Sequence, residues 1–169
     1  MVEKDDEAKG VLIDLDLAIL TTGAESAQRR RPTFRGTLPF LSTDLLDDPP
    51  PCNHMYRYDL ESFFFVLGWI LVRFNEEGIE VEPDELIDWY TGTRTEVQSV
   101  KFSFLSRPND PPASRFPSLQ KTWLWKLGRL FYHGYVKRID YRQDIGGFGF
   151  DDETLGGSVT YDSFLEILQ

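Results

Sequence analysis

Two carboxylates one residue apart, Asp14 and Asp16, follow the apolar run Val11-Leu12-Ile13 in the stretch KGVLIDLDLAIL (9–20). An aspartate at the end of a strand can hold a hard divalent cation such as Mg2+, which takes oxygen ligands and keeps several of its waters. Paired with a second acid, it can instead act as a nucleophile beside an acid/base group. Other chemistry-bearing residues are less well placed. His54 and His133 lie far apart and have no third ligand at zinc spacing. GGFGF (146–150) lacks the Gly-Lys-Ser/Thr of a phosphate loop and does not join a strand to a helix, so it reads as a loop.

The elements that must position the acidic pair are mostly helices. Residues 10–14 read as one short strand bounded by Gly10, and 21–35 as a polar loop without a period. STDLL (42–46) predicts a single helical turn, capped by Ser42 or Thr43 and stopped by the prolines of DDPPP. YRYDLESFFFVLGWILVRF (56–74) carries the strongest helix signal. It is apolar on nearly every face after Ser62, which predicts a core helix surrounded by protein.

Pro83 opens a further helix over PDELIDWY, broken near Gly92, and Val97, Val100 and Phe104 then recur at helical spacing. NDPPASRFPS (109–118) is a loop. Ser118 caps a helix whose apolar stripe is Leu119, Trp123, Leu127, Leu130 and Phe131, with Trp125 on another face. After a Gly-rich acidic loop over 143–157, Thr160 caps a last short helix, YDSFLEIL. The expected class is mainly α, about five helices with one short N-terminal strand, which is not the pattern of a doubly wound sheet.

At 169 residues the chain is one domain or a piece of a larger one. Its net charge of -10 argues against nucleic acid, because phosphate binding needs clustered Lys and Arg, and the one basic run, Arg29-Arg30-Arg31, reads as solvated loop. A single cysteine, Cys52, allows no internal disulfide and fits a reducing compartment. MVEKDDEAKG is neither a secretory signal nor a transit peptide. The longest apolar run, Phe63 to Val72, is about half of the ~20 residues a membrane span needs. An intracellular chain of the cytoplasm or nucleus, off the membrane, is expected.

Read as a metal motif of the D-F-G kind, Asp14 is followed by Leu15 and Asp16 in place of Phe and Gly. RGTLPFLSTDLL (35–46) falls 21 residues on, where G-T-x-x-Y/F-x-A-P-E ends a kinase activation segment. YRYDLESFFFVLGWIL then stands where a kinase has the central helix of its C-lobe, with Asp59 near its start. In this order the chain resembles the fungal-type protein kinase domain family. Its members read G-x-L-I-D-[FL]-D-L-A, then R-x-G-T-x-P-F-M-[AS], then H-x-Y-R-x-D-L-E-S-F-F-x-V-L, then W…K…FL. Trp89, Lys101 and Phe104-Leu105 match the last segment, so the resemblance runs from residue 10 to about 105.

The resemblance implies a protein-kinase-like C-lobe and transfer of phosphate from ATP, with Mg2+, to Ser or Thr hydroxyls. Asp14 would be the metal ligand. Gly36, Thr37, Pro39 and Phe40 would form the substrate-facing lip that closes the activation segment, in which Thr21, Thr22, Ser26 and Thr33 are open to phosphorylation. Asp59 would accept hydrogen bonds from the catalytic loop, or, without that loop, serve as an acid in the first turn of its helix.

The Gly-rich loop, the ATP-binding Lys and the H-R-D-x-x-x-x-N loop all precede the metal motif in a kinase. Only 13 residues precede Asp14, and none of these parts is among them. Residues 1–169 are therefore expected to be a partial domain, truncated or degenerate in the manner of a pseudokinase. No catalytic residue can be named, no cofactor is expected on this chain alone, and its partner would be a protein or the missing kinase lobe. Two other readings stand beside this one. One is a non-catalytic interaction module. The other is a Mg2+-dependent phosphatase of the haloacid-dehalogenase type, although Ala18 replaces the Thr/Val of its D-x-D-x-T/V and the alternating strands are missing.

One carboxylate holds Mg2+ weakly without substrate phosphates beside it. Calorimetric titration with micromolar Mg-ATP should therefore show no binding to residues 1–169, with Asp14→Ala indistinguishable. Mg2+-dependent phosphate release from a small phosphoester, abolished by both Asp14→Asn and Asp16→Asn, would assign the stretch to the phosphatase reading.

Overall fold

The computed structural model describes residues 36–80, 84–107, 116–145 and 148–169. The chain divides into the units Met1–Arg31 and Pro32–Gln169, and every described residue belongs to the second. The expected strand at 10–14, the pair Asp14 and Asp16, the loop at 21–35 with its four Ser/Thr, and Pro83 all lie outside the described residues.

Among the described residues the chain is mainly helical, with four α-helices and no strand; a single β-bridge pairs Phe74 with Glu80. Helix α1 spans Tyr56–Arg73 and α2 spans Arg94–Ser106. Helix α3 (117–145) runs without a break through Pro117–Leu119, a π-turn at Gln120–Leu124 and Trp125–Ile145. Helix α4 is Tyr161–Leu168. Short 3-10 turns occupy Leu38–Phe40, Thr43–Leu46 and Asp84–Trp89.

Local chemistry explains most of the boundaries. Thr93 and Glu96 exchange the two hydrogen bonds of a capping box at the start of α2, and Thr160 and Ser163 do the same for α4, as the cap at Thr160 predicts. Of PDELIDWY, Asp84–Trp89 form a 3-10 turn instead of an α-helix. Three residues per turn stack Leu86 above Trp89, and both are buried. Ser118 sits inside the first turn of α3 rather than capping it, since the helix begins at Pro117 and the Gln120 N–H bonds to Phe116 O. At the other end α3 runs to Ile145, three residues into the stretch expected to be loop.

The π-turn changes which residues of α3 face the core. At Trp125 the backbone N–H bonds to Gln120 O, five residues back, which inserts one extra residue into the turn. An unbroken 3.6-residue period from Leu119 would point Trp123 inward. With the insertion it is Leu124 that is buried, followed by Leu127, Phe131 and Tyr135, and Trp123 is left half-buried.

The core is built from Phe64, Phe65 and Leu71 of α1, Leu105 of α2, Leu127 and Phe131 of α3, and Leu155, Val159 and Phe164 from the C-terminal stretch. Aromatic edges link it: Phe65 meets Trp89 at 5.4 Å and Trp89 meets Phe104 at 5.1 Å, both T-shaped. Leu155 is fully buried although its φ is +50°, a region that disfavours side chains. It is held by Gly134 of α3, where an added Cβ would lie 2.8 Å from Leu155 Cβ.

Helix α1 is not enclosed on every face. Phe63 is 61% exposed and Ile70 44%, one stripe of α1 away from the core. A helix buries only the faces its neighbours reach, and an all-apolar sequence cannot say which face that excludes. Phe65→Ala should cost about 3–5 kcal/mol of unfolding free energy, as loss of a core aromatic does. Phe63→Ala should stay within about 0.5 kcal/mol of wild type in the same urea titration.

Candidate substrate lip and the buried polar cluster behind it

Residues 36–41 make a tight ledge. Gly36 opens it with φ +154°, and a Cβ there would fall 2.5 Å from Leu41 Cδ2, so both backbone and packing require glycine. Thr37 O accepts the N–H of Phe40 at 2.8 Å, Pro39 is buried, and the half-buried Phe40 ring meets Trp69 of α1 edge-on at 5.5 Å. Gly36 and Thr37 are exposed. Leu41 is tucked under with Leu46 and Val97 of α2.

The ledge has one backbone bond of its own, and its carbonyls are held from behind. The Lys101 ammonium of α2, fully buried, donates to Leu41 O and, at 3.2 Å, to Leu38 O. It lies 4.1 Å from the Phe65 ring centroid. Gln98, one turn earlier on α2, donates to Thr43 O at 2.9 Å and to Asp47.

Two buried carboxylates anchor the next turn. Glu61, on the core face of α1, accepts from Ser42 Oγ at 2.6 Å, Thr43 N–H at 3.1 Å and Tyr135 O–H at 2.6 Å. The Thr43 hydroxyl reaches both Glu61 and Tyr135, and its one proton serves one of them at a time. Ser42 and Thr43 thus spend their side chains on Glu61, and neither makes the capping bond expected at 42–46.

Asp44 receives Arg57 of α1 and a two-pronged contact from Arg138 of α3, at 2.6 and 2.7 Å. Arg57 also donates through Nε to Asp152 O in the C-terminal turn, and Arg138 approaches the Asp152 carboxylate at 3.5 Å.

Charge balance decides the protonation preferences. Burial by itself raises the Asp44 pKa, but the hydrogen bonds and charges of Arg138 and Arg57 outweigh it and leave the group below its ordinary 3.8. Burial, with Glu61 close by, pushes the Tyr135 phenol well up. Burial brings the pKa of the Lys101 ammonium down to about 7, against the opposing pull of Glu61.

The expected lip residues Gly36, Thr37, Pro39 and Phe40 therefore come together on one ledge, whereas Asp14 lies outside the described residues. Asp59 sits in the first turn of α1, exposed, and pairs with His54 Nε2 at 3.1 Å. Among the described residues no group of three or more His, Cys, Asp or Glu converges to hold a metal, and no helix is long and apolar enough to cross a membrane.

Sequence reasoning missed the cluster. Counting G-T-x-x-Y/F-x-A-P-E from Gly36 places Asp44 at its acidic ninth position, a signal obscured because Ser42-Thr43 replace Ala-Pro. Arg57 and Glu61, four apart on the same face as Phe64 and Phe65, were also visible as charges on a core stripe.

Residues 1–71 match the family model for the fungal protein kinase, the family that the motifs resemble. The match covers less than half of the chain and ends inside α1. No curated protein and no solved structure matches the chain.

Arg138→Met leaves Asp44 paired with Arg57 alone, so the loss of the two-pronged contact should cost about 1.5–3 kcal/mol. Because the Asp44 pKa is lowered by folding, its stabilisation is complete above the unfolded value of 3.8 and is lost as pH falls below it. Urea titrations from pH 6 to pH 2 should show the advantage of wild type over Asp44→Asn shrinking in that acid range alone.

Proposed function

We propose that the described residues form the acceptor-docking side of a fungal-type protein kinase, whose reaction moves phosphate from ATP to Ser or Thr hydroxyls. The carrying observation is the ledge at 36–41, fixed from behind by Lys101 and by the Glu61 and Asp44 cluster while Gly36 and Thr37 face solvent. Phosphoryl transfer is mostly positioning and electrostatics, and a docking edge that is already shaped lowers the entropy lost when the acceptor is placed. The family match supports this reading, since residues 1–71 include the ledge and most of α1.

ATP and Mg2+ would supply the transferable group and neutralise its charge. Asp14 is the residue that would hold the metal, together with groups contributed from outside residues 1–169. The described residues orient the acceptor. By themselves, residues 1–169 carry out no transfer, and the partner they require is the lobe that bears the Gly-rich loop, the Lys and the catalytic loop.

A chimera placing those parts from a fungal protein kinase before residue 10 tests the proposal. It should phosphorylate a Ser/Thr acceptor, and Phe40→Ala should raise the acceptor KM several-fold while the KM for ATP stays level. A folded chimera with no transfer would overturn the kinase reading. Acceptor capture without turnover would favour a non-catalytic interaction module instead.

A further inference from the structure

Lys101 is the least expected group in the described chain. It is fully buried, and among the described residues no carboxylate lies within salt-bridge distance of its ammonium. On the neighbouring elements, the charged side chains that the structure describes are committed elsewhere. On α1, Glu61 is occupied by Ser42, Thr43 and Tyr135, and Arg57 by Asp44 and Asp152 O. In the 43–46 turn, Asp44 is taken by two arginines, one of them Arg138 of α3, the helix that also brings Tyr135. In the 84–89 turn, Trp89 lies 5.8 Å from the ammonium while Asp88 is exposed. What remains for the ammonium is the ledge: Leu38 O from one turn and Leu41 O from the residue that closes it.

An apolar side chain would fill this space without desolvating a charge, and such replacements are often neutral or stabilising. A lysine here lowers stability relative to methionine unless its donors are needed. Its N–H groups can bridge two carbonyls three residues apart, which no apolar residue can do.

We propose that Lys101 is the positioning residue of the lip, its ammonium clamping the Leu38 and Leu41 carbonyls so that residues 36–41 hold their docking shape. The proposal rests on reading that ledge as the acceptor lip.

Chymotrypsin cleavage after Phe40, followed by mass spectrometry on residues 1–169, reports lip opening. Rates are divided by those of a free peptide of residues 36–46, and cleavage after Phe150 serves as the reference outside the lip. Lys101→Met should speed normalised Phe40 cleavage by about tenfold or more, leave Phe150 cleavage level and leave Tm unchanged or raised. Lys101→Arg, which keeps the charge and donors, should restore part of the protection.

Unchanged Phe40 cleavage in Lys101→Met, or a fall in Tm with both sites exposed together, would overturn the clamp in favour of an ordinary structural role. Should Lys101→Met fail to fold, wild type alone decides: normalised Phe40 cleavage as fast as in the free peptide, with Phe150 still protected, refutes the proposal. The assay needs no acceptor, so a failed clamp and a failed docking reading are told apart.

Discussion

Glu61 and Asp44 lie seventeen residues apart in the sequence, yet both carboxylates are buried at the same short turn. Isolated charges in such a place would be very unfavourable, and what makes them tolerable is complete satisfaction: hydroxyls and a backbone N–H for Glu61, two guanidinium groups for Asp44. The donors come from α1, α3 and the 42–43 segment. Meeting the needs of two oxygen pairs therefore sets where α3 crosses behind the turn and how the turn approaches α1. A polar cluster of this kind tolerates few alternative arrangements, because a partly satisfied version is worse than an apolar one.

The ledge at 36–41 inherits its shape from that arrangement. A three-residue 3-10 turn with one backbone bond has little stability of its own. Gly36 permits the backbone to enter it, Leu41 tethers its end to Val97 and Leu46, and Phe40 leans on Trp69. The exposed residues are carried by buried ones, the usual way in which a surface turn acquires a definite form.

The family match and the tertiary contacts divide the chain differently. The match stops at residue 71, but Gln98, Lys101, Tyr135, Arg138 and Asp152, which hold its ledge and turn in place, all come later. The described part of the matched span, 36–71, is consequently not a structural unit by itself. Its ledge depends on α2 and its turn on α2 and α3, and Trp89 and Lys101, which continue the motif order beyond the match, sit within one aromatic-lined compartment with Phe65.

Interactions that act within one or two turns were legible from the sequence. The α1 span, the Thr160 cap and the grouping of Gly36, Thr37, Pro39 and Phe40 rest on capping, periodicity and motif spacing, all of which reach only a few residues. Tertiary structure decided the rest: the exposed stripe of Phe63 and Ile70, the π-turn that exchanges Trp123 for Leu124, and the fates of Arg57, Glu61 and Lys101. These depend on partners far away in the chain, such as Arg57 with Asp152 or Lys101 with Leu41. A helical pattern tells a residue which neighbours share its face. Whether that face meets a carboxylate, a carbonyl or water is settled only when distant segments pack, because burial is what gives a charge its need for a particular partner.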